Sequence, residues 1–376
     1  MRRGRTGDTG SDDRDIRGGA THDSNLLPQQ QNLVGTVRSN REPKGDIMRA
    51  WRLTELGDPW DVLSLQEVEP PAPSTGEARV AVSASDLNFA DILQCQGQYQ
   101  VRLDPPFTPG MSVAGTVVEV GPECGLEQGD RVLGMTASGW GGYAEEALVR
   151  GDDMRIVPSN VSLPAASAMN VIYGTAWTAL HRRGHMQAGD TVLVLAAAGG
   201  VGSAAVQMAK VHGCTVIAAA GGSDKVAVCK SLGADVVVDY NSEDLYEKVM
   251  DATSGRGCDL IYEPVGGEFF DVARRLVAWE GRLLVVGFAS GEIPHAPANH
   301  VLVKNYSVVG VHMGGYRGRM DEVLDECYSE LWEMVSSGTL DPLVSRELRL
   351  DDLMEGLVDL SARKTTGRVL LRPDMD

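Results

Sequence analysis

The chain has 376 residues, of which 43% are apolar and 23% are charged, and a formal net charge of −18. This length and composition allow two globular domains of ordinary size. Neither a run of eighteen apolar residues nor an apolar N-terminal stretch occurs, which argues against a membrane span and a secretory signal and predicts a cytoplasmic protein. The negative charge repels nucleic acid and anionic membranes, so we expect neither as a partner.

Residues 1–47 form a polar stretch with eight Lys and Arg against seven Asp and Glu. Such a composition cannot offset the entropy cost of ordering, so we expect a disordered N-terminal tail. Transit peptides are poor in acidic residues, so the balanced charge argues against a targeting role. The alternative is that translation begins at Met48 and the tail is not expressed.

The cysteines and histidines show no metal-binding or redox pattern. His181 and His185 are four residues apart, and we expect them to share a helix face without metal. The six cysteines lie at least fifteen residues apart, which predicts reduced, mostly structural thiols. They are Cys95, Cys124, Cys214, Cys229, Cys258 and Cys327.

Two patterns of secondary structure follow each other along the chain. Residues 48–158 contain short strands separated by turn residues, which predict a small, mostly antiparallel β domain. After residue 165, apolar strands alternate with helices, which predicts a doubly wound parallel sheet. The strands of this part are predicted at residues 191–196, 215–220, 236–238, 260–262, 282–286 and 307–311, and the helices at residues 202–212, 223–232, 242–253 and 322–336. A closing strand, residues 368–371, is too short for a domain of its own and is expected to return to the first one.

The most informative motif is a glycine-rich turn between an apolar strand and a helix. It reads Ala196-Ala-Ala-Gly-Gly-Val-Gly202, in the context that a dinucleotide-binding fingerprint requires, although Ala197 replaces the first glycine. Gly199 allows the backbone to approach a pyrophosphate, and Gly202 allows the helix to pack closely on the strand. A turn without a ligand is the alternative. The predicted phosphate-binding residues are Ala198, Gly199, Gly200, Val201 and Gly202.

The end of the next predicted strand indicates NADPH rather than NADH. NAD enzymes place an acidic residue there to bind the ribose hydroxyl, whereas this strand ends at Ala220. Ser223 and Lys225 follow and supply a hydroxyl and an ammonium group for a 2′-phosphate, with Asp224 as the one discordant charge. Alternatively, Ser223 only caps the next helix and Lys225 is solvated.

Four motifs together resemble the zinc-free quinone oxidoreductases of the medium-chain dehydrogenase/reductase superfamily, the family that includes zeta-crystallin. They are Asn88-Phe-Ala-Asp91, Gly139-Trp-Gly-Gly-Tyr-Ala-Glu145, the glycine-rich turn, and Glu263-Pro-Val-Gly-Gly267. The resemblance implies an α/β fold with a doubly wound parallel Rossmann sheet and a mostly antiparallel, GroES-like β domain. We assign the GroES-like catalytic domain to residues 48–170 and 314–376, and the Rossmann cofactor-binding domain to residues 171–313.

The resemblance also implies which residues line the cofactor cleft. Asn88 is expected at the nicotinamide end, Thr175 against the cofactor, and Tyr240 beside the adenosine phosphate. Gly287 and Phe288 follow a predicted strand and are expected near the nicotinamide. The alternatives are that Asn88 only closes a turn, Thr175 packs a helix, and Tyr240 covers the sheet edge.

Zinc-dependent alcohol dehydrogenases, which are relatives of this family, differ at their metal ligands. They carry a catalytic Cys in the segment that reads Ser85-Asp-Leu-Asn-Phe here, and a Gly-His-Glu motif where this chain has Gly110-Met-Ser112. Their lobe of four cysteines has no counterpart beyond Cys124. We therefore expect no metal. Without a Lewis acid, alcohol oxidation is disfavoured, while hydride addition to a quinone or an enone stays feasible.

We therefore predict an NADPH-dependent reductase of quinones or activated double bonds, with Asn88 and Tyr99 as catalytic residues. Tyr99 is the candidate proton donor, but Leu93 stands where some relatives carry a tyrosine, and Tyr99 alternatively only lines the cleft. Relatives pair through an edge strand of the cofactor domain, so we expect a homodimer through residues 307–311.

Three other functions are compatible with the same scaffold. They are reduction of an enoyl thioester, reduction of a small α,β-unsaturated carbonyl compound, and NADPH binding without turnover in a structural or RNA-binding protein. The acidic charge argues against RNA.

Overall fold

The computed structural model of the protein describes residues 47–99, 102–137 and 139–375. Its first elements are β1 (Met48–Leu53), α1 (Pro59–Val62), β2 (Leu63–Val68), β3 (Glu77–Asp86), α2 (Phe89–Cys95), β4 (Ser112–Val120), β5 (Arg131–Thr136) and β6 (Glu146–Ile156). Strands β3 to β6 are antiparallel neighbours, and β3 also pairs with β6. Buried residues alternate along most of β3, as in a strand with one face on a core. The predicted antiparallel β domain is confirmed.

A six-stranded parallel sheet follows. Its strands and helices are α3 (Leu163–Trp177), β7 (Thr191–Val194), α4 (Gly200–Val211), β8 (Thr215–Ala220), α5 (Ser223–Ser231), β9 (Val236–Asp239), α6 (Leu245–Ala252), β10 (Cys258–Glu263), α7 (Gly267–Leu276), β11 (Val277–Val285), α8 (Ala298–Lys304) and β12 (Ser307–Gly310). The strand order is β12-β11-β10-β7-β8-β9, and all pairs are parallel. The order reverses between β7 and β10, and ligands of such sheets bind at the carboxyl ends of the strands at this point. The predicted doubly wound sheet is confirmed.

The end of the chain returns to the antiparallel lobe. The last elements are α9 (Asp321–Ser336), β13 (Val344–Arg349), α10 (Leu353–Ser361) and β14 (Arg368–Arg372). Strand β14 pairs antiparallel with β3 and parallel with β13, so the predicted return of the closing strand is confirmed. The domain boundaries near residues 170 and 314 stay predictions.

Several predicted elements have different ends in the structure. Strand β7 ends at Val194, two residues early, because Ala196 has a φ of 49° that a strand cannot contain. Helix α4 begins at Gly200 rather than at residue 202. Helix α6 begins at Leu245 rather than at residue 242, because the Asp244 side chain caps it there.

Residues 1–46, and with them the predicted disordered tail, lie outside the described residues. All six cysteines are free and buried. Burial raises the pKa of Cys95 to about 12 and that of Cys214 to about 11, so these thiols stay protonated and inert at neutral pH. Among the helices of the described ranges, none is both long and apolar enough to cross a bilayer.

Candidate functional site

The glycine-rich turn lies at the carboxyl end of β7, beside the point where the strand order reverses. Ala196 has a left-handed conformation, and its carbonyl oxygen accepts a hydrogen bond from the Gly199 N–H at 2.9 Å. A Cβ atom on Gly202 would lie 2.3 Å from the same oxygen. Only glycine therefore lets α4 start this close to β7.

The first turn of α4 offers donors to an anion. The first hydrogen bond that closes a helical turn runs from the Ser203 N–H to the Gly199 carbonyl at 2.8 Å, so the preceding N–H groups have no partner within the helix. These groups and the helix dipole suit a dinucleotide pyrophosphate. The backbone N–H groups of this turn that have no partner within the helix are those of Gly200, Val201 and Gly202.

The buried carboxylate of Glu263 shapes the loop after β10. It accepts hydrogen bonds from the N–H groups of Val265 at 2.7 Å and Gly266 at 2.8 Å. Burial raises the pKa of Glu263, and these two hydrogen bonds oppose the shift. The carboxylate therefore holds the loop that borders the crevice on the β10 side.

The loop after β11 is hydrogen-bonded to the loop after β10. The Ala289 N–H donates to the Pro264 carbonyl at 3.0 Å, and a Cβ on Gly287 would lie 3.3 Å from the same oxygen. Phe288 is 43% exposed. Gly287 and Phe288 thus lie at the carboxyl edge of the sheet, and their contact with a nicotinamide stays a prediction.

Basic and aromatic groups meet at the end of β8. The Tyr240 ring covers Gly221, where a Cβ would lie 2.6 Å from the ring. The Lys225 ammonium donates to the Arg363 carbonyl oxygen at 2.8 Å. Burial raises the pKa of Tyr240, and the positive charge of Arg363 opposes that shift. The structure therefore adds Arg363, which the sequence did not indicate, to Lys225 and Tyr240. Ser223 begins α5 at the same place and is exposed.

Residues 363–368, which follow α10 and include the first residue of β14, contact several loops at this edge and are called the closing segment below. The Arg363 guanidinium donates to the Ala289 carbonyl at 3.0 Å, and the Gly367 N–H donates to the Ala198 carbonyl at 2.9 Å. The closing segment thus spans from the end of β8 to the glycine-rich turn.

Arg368, at the end of the closing segment, is buried beside Asn88. Its guanidinium forms an ion pair with Asp86 and donates to Asn88 Oδ1 at 2.8 Å. A Cβ on Gly200 would lie 3.4 Å from Arg368 Nη1. Burial lowers the pKa of Arg368 to about 9, so the side chain stays charged at neutral pH. Arg368, like Arg363, was missed at the sequence level.

Asn88 is the N-cap residue of α2, and its backbone is held by Asp91 of the same motif. The Asp91 carboxylate accepts hydrogen bonds from the Asn88 N–H at 2.9 Å and from the Met111 N–H at 3.2 Å. Asn88 therefore helps to close the turn before α2, which was the alternative role considered for it. Its side chain, however, faces Arg368 beside the glycine-rich turn.

Among the described residues, the hydrogen bonds of Thr175 and Tyr99 do not connect them to the other predicted site residues. The Thr175 hydroxyl lies 3.9 Å from the Met313 sulfur. The Tyr99 N–H donates to the Leu93 carbonyl at 3.2 Å, which places Tyr99 just beyond α2. The roles of Thr175 at the cofactor and of Tyr99 as a proton donor stay predictions.

Comparison with known proteins agrees with this architecture. Residues 74–159 match the family "Alcohol dehydrogenase GroES-like domain", and residues 200–329 match the family "Zinc-binding dehydrogenase". The chain is 40% identical over 329 residues to the Quinone oxidoreductase-like protein 2 homolog of Nematostella vectensis, covering 86% of this chain and 88% of that protein. The chain belongs to the quinone oxidoreductase-like family of medium-chain dehydrogenases/reductases.

Solved structures of quinone oxidoreductases have the same fold as this quinone oxidoreductase-like protein. The Escherichia coli quinone oxidoreductase complexed with NADPH is 27% identical, with a TM-score of 0.77, and covers 86% of this chain and 100% of that one. The Thermus thermophilus quinone oxidoreductase, described together with its NADPH complex, is 32% identical, with a TM-score of 0.73 and the same coverage. These similarities confirm the predicted fold class.

In this quinone oxidoreductase-like protein, hydroxyl groups stand near the positions where zinc-dependent relatives carry ligands. Ser85 donates to the Ser112 carbonyl at 2.8 Å, and the Ser112 hydroxyl accepts from Asn170 Nδ2 at 2.7 Å. Within the described residues, no group of three or more His, Cys, Asp or Glu side chains is placed to hold a metal ion.

The histidine prediction is wrong in its geometry. His181 belongs to a short π-helical segment, Thr178–Arg183, which ends before His185. His185 has a φ of 49°, so the two do not share a helix face. His181 instead packs against His212, with ring centroids 4.1 Å apart, and burial lowers its pKa to about 4.

Proposed function

We propose that this protein, an oxidoreductase by family, uses NADPH to deliver a hydride to a quinone or an activated carbon–carbon double bond, without zinc. The observation that carries the proposal is the group of Lys225, Tyr240 and Arg363 at the end of β8. The Lys225 ammonium and the Tyr240 ring lie at this point, and the Arg363 charge is near enough to act on the Tyr240 hydroxyl. Such groups suit the 2′-phosphate that distinguishes NADPH from NADH. Both solved relatives named above were obtained with NADPH.

Asp224, in the first turn of α5, is the one acidic side chain of that turn, and it is exposed. Strand β8 ends at Ala220, where NAD enzymes carry an acid. Asp239, at the end of the neighbouring strand, accepts hydrogen bonds from the N–H groups of Gly222 at 2.8 Å and Asn241 at 3.0 Å. These bonds lower the pKa of Asp239 and commit its carboxylate to the loop.

The rest of the chain provides the geometry that a hydride transfer needs. A nicotinamide bound in the crevice supplies the hydride. The first turn of α4 holds the pyrophosphate, and we assign the positioning of the nicotinamide to Thr175, Gly287 and Phe288. Asn88 faces the acceptor from the other lobe, and Tyr99 or water supplies the proton. Such positioning and the exclusion of water are the main contributions that the protein must make.

The absence of zinc from the reaction is supported by the charges at Asn88. The Asp86 carboxylate is fully buried and paired with Arg368. A guanidinium at this place repels a divalent cation, and it already neutralises Asp86. The other buried carboxylate near Asn88, that of Asp91, is committed to hydrogen bonds from Asn88, Met111 and Tyr143. The neighbouring groups offer an amide and hydroxyls, which are poor zinc ligands.

The decisive experiment measures NADPH oxidation with quinones, enones and enoyl-CoA in parallel. NADH serves as the cofactor control and a chelator as the metal control. We expect turnover of quinones or enones that is faster with NADPH and resists the chelator. Turnover of enoyl-CoA alone would make the protein an enoyl-thioester reductase. NADPH binding without any turnover would make it a non-catalytic binding protein.

We also propose that the protein is a homodimer formed through β12. This strand stands at the edge of the parallel sheet. Leu302 and Val303 on the preceding helix α8 are 80% and 75% exposed. Within the described residues no other strand pairs with the outer edge of β12, and such an edge next to exposed apolar side chains suits pairing with a second copy. A cytoplasmic location stays a prediction.

A further inference from the structure

Two neighbours determine which way the side-chain amide of Asn88 faces. Arg368 Nη2 donates to Asn88 Oδ1 at 2.8 Å, and Asn88 Nδ2 donates to the Asp86 carbonyl oxygen at 3.2 Å. A guanidinium has only donors, and a carbonyl oxygen only accepts. Turning the amide over would bring donor against donor and acceptor against acceptor, so one orientation is strongly preferred.

Arg368 is buried, pairs with Asp86 through the same nitrogen Nη2, and lies close to the glycine-rich turn. It is 6% exposed, and its partner Asp86 is fully buried. Its other terminal nitrogen lies beside Gly200 in the glycine-rich turn. A planar guanidinium held in this way loses little entropy for each additional hydrogen bond. One cation therefore connects the phosphate-binding turn to the side chain of Asn88.

The oxygen of the Asn88 amide is occupied, whereas Nδ2 carries two N–H bonds and gives one of them to Asp86. Asn88 therefore presents a donor to a bound acceptor. In the proposed reaction a bound NADPH would supply a hydride, with its two electrons, to a carbon of the acceptor and would be left as NADP⁺. The conjugated carbonyl oxygen takes up the negative charge and is then protonated from water. A fixed N–H donor stabilises that oxygen as the charge develops.

We propose that Arg368 is a positioning residue that presents the Asn88 N–H to the carbonyl oxygen of the acceptor. This inference rests on the proposed function. It narrows the substrate class to compounds whose reducible group is conjugated to a carbonyl oxygen, namely quinones, enones and enoyl thioesters.

The test uses Arg368→Lys, which keeps a positive charge beside Asp86 but lacks the planar group that reaches two partners. The matched control is Arg372→Lys. Arg372 lies four residues further along β14 and pairs with Glu347 at 2.6 Å, away from Asn88. Thermal unfolding and NADPH affinity establish that each variant is folded and binds cofactor. If Arg368→Lys does not fold, Arg368→Met combined with Asp86→Asn replaces it, because no buried charge is then left unpaired.

The kinetic measurement is a double-mutant cycle with Asn88→Ala and a quinone acceptor. We expect Arg368→Lys to lower kcat about 10- to 100-fold, the size of one lost hydrogen bond to a charged group. In the Asn88→Ala background Arg368→Lys should not lower kcat further. The control Arg372→Lys should leave kcat unchanged both in the wild type and in the Asn88→Ala variant. Equal losses in both backgrounds would overturn the inference.

A second measurement does not depend on turnover. 4-Nitrophenol is titrated in the presence of NADP⁺, and the visible absorbance of its phenolate reports the pKa of the bound phenol. An N–H donor at the oxygen lowers that pKa on the wild-type protein, and the effect should be lost equally in Arg368→Lys and in Asn88→Ala. The same pKa on all three proteins would contradict the inference. If the wild type turns over no acceptor, the proposed function fails. If it turns over quinone and Arg368→Lys is unaffected, only the inference fails.

Discussion

The hydroxyl of Tyr143 donates a hydrogen bond of 2.8 Å to the carboxylate of Asp91, and both side chains are buried. The same carboxylate holds the N–H groups of Asn88 and Met111. It therefore ties the start of α2 to the loop before β4. Burial raises the pKa of Asp91 to about 6, and the hydrogen bonds oppose this shift. The residue that holds Asn88 in place thus titrates within an accessible pH range.

The stability of the protein should depend on pH through Asp91. Because its pKa is higher in the folded protein than in the unfolded chain, the folded state binds the proton more tightly. The free energy of unfolding should fall by up to about 3 kcal/mol as pH rises from about 4 to about 6, and then level off. Asp91→Asn cannot ionise and should lack this component. Urea unfolding of both proteins across this range measures it, and parallel profiles would refute the assignment.

Tyr143→Phe should move the same transition to higher pH. The substitution removes a hydrogen bond to the ionised carboxylate, which is one of the causes that lower the pKa of Asp91. Phenylalanine fits the volume of the buried ring, so the fold should persist with a loss of about 1 to 3 kcal/mol. The pH at which stability levels off gives the readout. An unchanged pH would mean that the hydroxyl does not act on Asp91.

Gly202→Ala should damage the cofactor site. The added Cβ would lie 2.3 Å from the Ala196 carbonyl oxygen, so α4 must move away from β7 at a cost of about 1 to 3 kcal/mol. We expect a lower thermal midpoint and weaker NADPH binding. Gly314→Ala is the matched control, since a Cβ at Gly314 would meet only the His312 ring at 3.7 Å. Equal behaviour of the two variants would show that close packing at Gly202 is not required.

Arg363→Met should weaken NADPH binding and leave NADH binding nearly unchanged. Loss of a charged hydrogen bond to the 2′-phosphate predicts an increase in Kd for NADPH of about 10- to 100-fold. Lys364→Met removes the same charge from the adjacent exposed residue and should have a much smaller effect. Fluorescence titration gives the Kd of each variant for NADPH and for NADH. A similar loss for NADH would assign Arg363 a structural role instead.

The sequence predicts the parallel sheet well because the signals for it are local. Strand β8 was predicted with both ends correct, since its apolar run is bounded by a polar turn and by glycines. Strand β13 was missed. It reads Val-Ser-Arg-Glu-Leu-Arg and is mostly exposed, so neither hydrophobic alternation nor β propensity marks it. It forms because it pairs with β14, which is a tertiary effect.

The same distinction applies to the candidate site. The glycine-rich turn was found because strand, turn and helix are contiguous in the sequence. Arg368 lies 280 residues from Asn88 in the chain and reaches it only because β14 returns to β3. The one signal that could have marked these arginines is their place in an acidic chain, Arg363 just before the closing strand and Arg368 at its first position. Such a signal does not say which loop they meet.

The proposed homodimer gives the last prediction. Val308 on β12 is 37% exposed, and a lysine there would place a charge in the edge at which the second copy would pair. Val308→Lys should shift the mass measured by light scattering at micromolar concentration from dimer to monomer, without loss of NADPH binding. Ile156→Lys is the control, because Ile156 is 55% exposed on β6 of the other lobe. A dimeric Val308→Lys variant would place the interface elsewhere, and a monomeric wild type would show that β12 does not pair in solution.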